Sequence, residues 1–269
     1  MGGSMTRKFV IDIDLIKKCN LACDYCVIPF DNPPITHISN ENLNSLIKLV
    51  NDCLSDSEFL KHFKEFQISF FGGEPTLNPQ GINQITDAFD LNQNVTYFIY
   101  TNGFKFKKEI YDIFLKYKDK NKFNIQVSYD GLASHNASRV QRNGKGSALA
   151  VKETIYKLQE LGIKYDIHPT ISSANFNCLY DNYTEFKRMR ETSIQCGPYS
   201  PTIDYLSKFE FDDSEIQNIK SVLKEQFQKI LPLTLEFYKE NGYFDFGWFN
   251  PQKAICTAGN GYILSLIHI

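Results

Sequence analysis

Three cysteines lie within eight positions, at Cys19, Cys23 and Cys26, directly after a short run of alternating apolar and polar residues. Three thiolates on one loop can converge on three corners of an iron–sulfur cubane. The fourth iron would then lack a protein ligand and could bind a small chelating molecule. Structural zinc normally takes four ligands, and the nearest histidine, His37, is eleven residues beyond Cys26. A zinc loop and a chance grouping are the alternatives to an iron–sulfur loop.

The composition narrows the class of protein. The seven cysteines are an odd number, and their clustering favours a metal site in a reducing compartment over disulfides. A formal net charge of −2 argues against nucleic acid as a partner, because binding phosphates needs a basic excess. The sequence has no run of 18 apolar residues and no secretory signal, so we expect a cytoplasmic protein without a membrane partner.

Strand-like and helix-like runs alternate along the chain, which predicts a parallel sheet. We expect the functional residues to lie at the carboxyl ends of its strands. Six such repeats fall short of the eight in a complete TIM barrel, so we expect an α/β fold with a partial (β/α)6 TIM-like barrel. The predicted strands are 9–15, 66–71, 95–100, 123–129, 165–171 and 193–196. The predicted helices are 40–54, capped by Ser39 or Asn40, and 81–89, 109–117, 148–161, 180–190 and 214–241.

Further motifs follow the cysteines in chain order, at the ends of the predicted strands. They are Gly72-Gly73-Glu74-Pro75, Thr101-Asn102-Gly103, Ser128-Tyr129-Asp130-Gly131, and His135 and Arg139 before Gly144-Lys145-Gly146-Ser147. With these motifs the sequence resembles the radical S-adenosylmethionine (SAM) superfamily over about residues 8–200. Within it, the sequence is similar to the subgroup of anaerobic sulfatase-maturating and peptide-modifying enzymes that carry a C-terminal SPASM or twitch domain.

The resemblance implies two cofactors. Cys19, Cys23 and Cys26 would ligate a [4Fe–4S] cluster, and SAM would bind the open iron. The residues that the resemblance assigns to SAM are Tyr25, Gly72, Gly73, Glu74, Pro75, Ser128, Asp130 and Arg139. Glycines allow the backbone to approach the methionine portion closely, Pro75 fixes the turn, and the forked donors of Arg139 suit a carboxylate.

Individual roles follow from the same resemblance. Backbone carbonyls of the Gly72-Gly73 turn, with Glu74 nearby, would accept from the ammonium group of SAM. Ser128 and Asp130 would contact its ribose or methionine portion. Tyr25 would pack against the adenine or simply within its own loop. Thr101 and Asn102 are expected to serve the turn alone, and His168 is expected to be a satisfied core histidine.

The domain organisation is predicted in five parts. Residues 1–5 are interpreted as a cloning remnant, 6–200 as the radical SAM core, and 201–254 as a linker with a long helix. Residues 255–263 resemble the start of a truncated SPASM or twitch domain, in which Cys256 would be a first ligand of an auxiliary cluster. The final segment, 264–269, is what a sequencing-library transposon end would encode, and it is interpreted as a non-native tail.

The function implied by the resemblance is cleavage of SAM to a 5′-deoxyadenosyl radical, which abstracts hydrogen from a substrate. The subgroup favours a peptide or protein substrate, with an electron donor such as flavodoxin or ferredoxin. The alternatives are a radical SAM enzyme acting on a small molecule or nucleic acid, and a non-catalytic iron–sulfur fragment. A redox carrier normally binds its cluster through four cysteines, whereas this loop has three.

Overall fold

The computed structural model describes residues 7–26, 37–120, 122–132, 135–172, 175–191, 202–203 and 213–246. These residues divide into two compact units. The first contains the described residues of 1–22, 27–127 and 150–165, and the second contains those of 23–26, 128–149 and 166–269.

The main strands and helices follow the order that the sequence predicts, with several short elements added between them. The strands are β1 (Arg7–Ile16), β2 (Leu21–Cys23), β3 (Phe63–Gly72), β4 (Val95–Thr101), β5 (Phe123–Val127), β6 (Arg139–Gln141), β7 (Asp166–Ile167), β8 (Thr170–Ile171) and β9 (Thr202–Ile203). The helices are α1 (Asn40–Ser55), α2 (Ser57–His62), α3 (Pro79–Ala88), α4 (Lys108–Tyr117), α5 (His135–Ser138), α6 (Ala148–Glu160), α7 (Leu179–Glu191) and α8 (Asp213–Asn241).

The first unit is built on parallel strands in the order β1-β3-β4-β5. The register aligns Ile13 with Phe70, Phe70 with Ile99, and Ile99 with Ile125. These four side chains are buried and lie on one face of the sheet. Aromatic rings extend this core, because Phe70, Tyr97 and Phe123 lie with ring centroids 5.3–6.1 Å apart. Parallel strands linked through helices confirm the predicted α/β class.

The opposite face of the same sheet is polar and aromatic. On β1 it carries Asp12 and Asp14, which are exposed, and on β3 it carries Phe71, which is 42% exposed. The ring of Phe71 lies 4.6 Å from that of Tyr100 on β4. One face therefore forms the apolar core, and the other is left open for polar contacts.

In the second unit the long helix α8 packs against α7. Tyr183 of α7 and Phe246, which follows α8, are completely buried, with ring centroids 5.6 Å apart. The Tyr183 hydroxyl donates to Asp245 at 2.8 Å, which satisfies the buried hydroxyl group. No helix in the described part of the chain is both long and apolar enough to cross a membrane.

The observed elements differ from the predicted ones in a few places. The predicted strand 165–171 is two short strands, β7 and β8, separated by His168 and Pro169, because proline has no amide hydrogen to donate. The short elements α2, α5, β2, β6 and β9 were not predicted. Asp56 caps α2 by accepting from the Glu58 amide. The predicted Ser39 cap of α1 is confirmed by a bond from the Asn42 amide. The predicted strand 193–196 lies outside the described residues.

Candidate active site

The Gly72-Gly73 turn at the end of β3 is packed against the backbone that leads to Cys19. The Gly73 amide donates to the Ile16 carbonyl at 2.7 Å, and the Glu74 amide donates to the Lys18 carbonyl at 3.0 Å. A Cβ atom on Gly73 would lie 2.3 Å from the Lys18 oxygen, a contact that no side chain could make. The resemblance assigned these glycines to SAM binding. The structure adds a second requirement for glycine here, because two backbones approach each other closely.

The carboxylate of Glu74 is completely buried and accepts four hydrogen bonds. Oε1 accepts from the Thr76 amide at 3.1 Å, from the Thr76 hydroxyl at 2.6 Å and from the Thr101 hydroxyl at 2.7 Å. Oε2 accepts from the Asn102 amide at 2.7 Å. Burial raises the pKa of Glu74, and these hydrogen bonds oppose the shift. The side chain therefore joins the β3 turn to the β4 turn, while Pro75 opens a short 3₁₀ helix over Pro75–Leu77.

Asn102 lies between Glu74 and Cys19, and both the oxygen and the nitrogen of its side-chain amide form contacts. Its Oδ1 accepts from the Phe104 amide at 2.8 Å, which is the turn role that the sequence predicts. Its Nδ2 donates to Asn20 Oδ1 at 2.7 Å and lies 3.4 Å from Cys19 Sγ. The expectation that Thr101 and Asn102 serve the turn alone was wrong. Sequence reasoning missed their other contacts, although both residues are at the carboxyl end of a parallel strand, where sites form.

Cys19 is 9% exposed, and two N–H donors of the first unit lie near its sulfur, which is also 3.9 Å from Asn20 Oδ1. Besides the Asn102 amide group, the Leu21 backbone amide lies 3.4 Å from the same Sγ atom. Donors of this kind stabilise a sulfur that carries negative charge.

Cys23 and Cys26 belong to the second unit and share a tight turn. The Cys26 amide donates to the Cys23 carbonyl at 3.2 Å, and the Asp24 amide donates to the Ser138 carbonyl at 3.1 Å. Burial raises the pKa of the Cys23 thiol to about 11, while the nearby Arg139 guanidinium opposes this. Metal binding at this thiol would therefore release a proton.

Asp130 and Arg139 form the centre of a buried polar network in the second unit. Arg139 Nε donates to Asp130 Oδ2 at 3.0 Å, and the Tyr25 hydroxyl donates to the same oxygen at 3.0 Å. The other carboxylate oxygen accepts from the Thr170 amide at 2.8 Å, and Arg139 Nη2 donates to the Thr170 hydroxyl at 3.3 Å. The guanidinium carbon lies 5.2 Å from the centre of the Tyr25 ring. Three residues that the sequence assigned to SAM are thus in mutual contact.

Two other residues singled out in the sequence lie in the second unit. Ser128 is half-buried directly after β5. His168 lies between β7 and β8, and burial lowers its pKa to about 4, with a smaller contribution from the charge of Arg139. His168 is therefore neutral at pH 7. The SAM contacts that the resemblance implies for Tyr25, Ser128, Asp130 and Arg139 stay predictions.

A cavity of about 320 Å³ lies on the open face of the sheet in the first unit, beside Asp12, Asp14 and Phe71. A volume of this order is within the usual range for ligand pockets. Sequence reasoning did not select these three residues. The alternation of Asp12 and Asp14 with buried apolar residues along β1 was the available signal.

The sulfur atoms of Cys19, Cys23 and Cys26 are suitable ligands for an iron–sulfur cluster. None of the three cysteines forms a disulfide, and Cys19 Sγ has two N–H donors around it. Within the described residues, no group of three or more His, Cys, Asp or Glu side chains is arranged to hold a single metal ion. Cys256, the predicted auxiliary ligand, lies outside the described residues.

Comparisons with known proteins agree with the predicted resemblance. The sequence profile of the radical SAM superfamily matches residues 13–182. The chain is therefore a member of the radical SAM superfamily. It is also 27% identical over 167 residues to an uncharacterized protein of Methanocaldococcus jannaschii, a match that covers 61% of this chain and 53% of the archaeal protein.

Solved structures share the fold. The chain is similar to anSMEcpe with bound AdoMet, at a TM-score of 0.68 and 16% identity, over 90% of this chain and 61% of that one. It is also similar to Streptococcus suis SuiB bound to the precursor peptide SuiA, at a TM-score of 0.54 and 15% identity, over 83% of this chain and 46% of that one. The predicted partial TIM barrel is the fold of these neighbours. The chain spans less than two thirds of the length of each relative.

Proposed function

We propose that this chain is a radical SAM enzyme that binds a [4Fe–4S] cluster through Cys19, Cys23 and Cys26. The single observation that carries the proposal is the local structure around Cys19, where the Gly72-Gly73 turn holds the loop and two N–H donors surround the sulfur. When bound, the reduced cluster supplies the electron that cleaves SAM to methionine and a 5′-deoxyadenosyl radical. Flavodoxin or ferredoxin is the proposed source of that electron.

We assign SAM binding to the residues of the turns. The backbone of Gly72 and Gly73 would lie close to the methionine portion, and the buried Glu74 would stabilise the turn.

Arg139 would bind the SAM carboxylate. Its Nε and Nη2 are used within the protein and Nη1 has no hydrogen bond among the described residues, so this nitrogen is available to an anionic ligand. Ser128 and Asp130 are the proposed contacts of the ribose or the methionine portion, and Tyr25 is the proposed contact of the adenine.

The proposed substrate is a peptide or protein side chain. The support comes from the similar proteins: anSMEcpe was solved with AdoMet and the Cp18Cys peptide, and SuiB was solved with SuiA. The open sheet face, with its cavity beside Asp12, Asp14 and Phe71, is a surface that a side chain could contact without displacing the apolar core. A perdeuterated Cp18Cys or SuiA peptide is the first probe, and deuterium found in 5′-deoxyadenosine would support the assignment.

The function is tested with anaerobic protein reconstituted with iron and sulfide, then mixed with SAM and dithionite. The wild type is expected to form 5′-deoxyadenosine, and the triple variant Cys19→Ala, Cys23→Ala, Cys26→Ala is expected to form none. Cys53→Ala is the matched control, because this cysteine is in α1 and is expected to leave the yield unchanged. Equal yields from the wild type and the triple variant would overturn the proposal. A cluster without 5′-deoxyadenosine would favour a non-catalytic iron–sulfur protein.

A further inference from the structure

The side chain of Asn102 is held in one orientation by contacts at each of its polar atoms. Oδ1 is fixed by the Phe104 amide, and the two hydrogens of Nδ2 are directed to Asn20 Oδ1 and Cys19 Sγ. Asn20 is itself anchored, because its own Nδ2 donates to the Phe104 carbonyl at 3.1 Å. Asn102 is 8% exposed, so water competes weakly for these bonds. A buried amide group is therefore aimed at the sulfur of a proposed cluster ligand.

The backbone of Asn102 is fixed as firmly as its side chain. Its amide donates to Glu74 Oε2, and the preceding Thr101 hydroxyl donates to Glu74 Oε1. Because Thr76 donates twice to the same carboxylate, Glu74 has little freedom to turn. The donor to the Cys19 sulfur is thus positioned through a chain of contacts from the buried carboxylate at the β3 turn.

We propose that Asn102 is a positioning residue for the cluster, whose amide group donates to the Cys19 thiolate and raises the reduction potential of the cluster, with Glu74 holding Asn102 in place. The proposal rests on the proposed function. An N–H donor draws negative charge from a coordinating sulfur, so it stabilises the cluster more after the cluster has gained an electron. Since the reduced state is the one that cleaves SAM, Asn102 would favour the reactive form.

The proposal is tested by anaerobic redox titration, in which the reduced cluster is followed by electron paramagnetic resonance. Asn102→Leu removes the donor at similar volume. Asn102→Asp keeps the acceptor for the Phe104 amide and replaces the donor with a carboxylate. The matched control is Asn78→Leu, because Asn78 is 7% exposed and donates to the Leu15 carbonyl at 3.3 Å, but it bonds to no cysteine. All proteins are compared at equal iron content, with their unfolding midpoints.

At a fixed ambient potential, Asn102→Leu is expected to lower the ratio of reduced to oxidised cluster by about threefold to tenfold, because the lost bond to sulfur is stronger in the reduced state than in the oxidised state. Asn102→Asp is expected to lower it further, and Glu74→Gln is expected to lower it in the same direction. Asn78→Leu is expected to lower only the unfolding midpoint.

An unchanged ratio in Asn102→Leu, or an equal fall in Asn78→Leu, would overturn the role of Asn102 while leaving the proposed function intact. A wild-type protein that assembles no cluster would instead overturn the proposed function itself. The two failures are therefore distinguished by the wild-type spectrum alone.

Discussion

Arg139 and Asp130 form an ion pair, with Nε 3.0 Å from Oδ2, and their side chains are only 8% and 0% exposed. A buried ion pair holds its geometry only when its remaining polar atoms are also satisfied. Here Tyr25 and Thr170 also donate to the Asp130 carboxylate, so it accepts two hydrogen bonds at Oδ2 and one at Oδ1. The pair consequently holds the turn that contains Tyr25, which lies between two of the cysteines.

Removing one member of this pair is expected to destabilise the protein strongly. Arg139→Gln would leave the Asp130 carboxylate buried without its cation, and we expect the free energy of unfolding to fall by about 3–5 kcal/mol. The measurement is urea denaturation of the metal-free protein under reducing conditions. In the double variant with Asp130→Asn, part of the loss is expected to return, because no unpaired charge is left. A loss below about 1 kcal/mol in Arg139→Gln would show that the pair is not structural.

Gly73→Ala is expected to displace the loop before Cys19. The added Cβ atom would meet the Lys18 carbonyl at 2.3 Å, and the overpacking should cost about 1–3 kcal/mol and reduce iron incorporation. Unfolding midpoint and iron content per chain are the two measurements. Gly144→Ala is the control, because no atom lies within 4 Å of a Cβ there, although its φ of +77° adds some strain. If both variants bind iron like the wild type, the contact between turn and loop is not required.

His168 is expected to make stability depend on pH between about 4 and 6.5. Burial lowers its pKa in the folded protein to about 4, so in this interval the unfolded chain takes up a proton that the folded chain does not. The contribution of His168 to the free energy of unfolding should therefore fall as the pH is lowered from 6.5 towards 4, by about 3 kcal/mol at most, and be constant above 6.5.

The measurement is urea denaturation across this pH range. His168→Gln should have a shallower slope than the wild type, since the variant has no proton to take up at this position. His62→Gln, at the exposed end of α2, should keep the wild-type slope. Identical slopes in all three proteins would contradict the assignment.

Lys122 is expected to be structural, although lysine is usually exposed. It is 2% exposed, and its ammonium donates to the carbonyls of Phe89, Asp90 and Asn92 at 2.7–3.0 Å. Lys122→Met would leave these carbonyls without their donor, and we expect a loss of about 3 kcal/mol, measured by denaturation. Lys120→Met is the control, because this exposed residue pairs only at the surface, where a salt bridge contributes less than about 1 kcal/mol. Equal effects in the two variants would contradict the structural role of Lys122.

Much of the fold could be predicted from local patterns in the sequence. The alternating burial along β4 and the Ser39 cap of α1 depend on neighbouring residues alone, and the sequence contains that information directly. Tyr165–Ile171 was predicted as one strand because its composition is β-like, and Pro169 divides it into two. Whether a strand continues through a proline depends on the strands that pair with it, and neighbouring residues in the sequence do not determine that pairing.

The contacts of the candidate site were harder to predict because they depend on how the strands align. Glu74 reaches Thr101 and Asn102 only because β3 and β4 pair with Phe70 opposite Ile99. Nothing in the spacing of Gly72-Gly73-Glu74-Pro75 indicates that the carboxylate faces inward. The buried lysine at 122 was missed for the same reason, since its three carbonyl partners lie in another turn.

The bonds from Gly73 and Glu74 to the Ile16 and Lys18 carbonyls also determine when the cysteine loop can take its shape. They join segments that are far apart in the sequence, so they cannot form before the chain through Glu74 has been synthesised. A nascent chain that has been synthesised only as far as Cys26 has the three thiols, but it does not yet have the Gly73 and Glu74 amides that bind this loop. Iron delivery to the loop is therefore expected to be a late event in biogenesis, following release of the β3 turn from the ribosome.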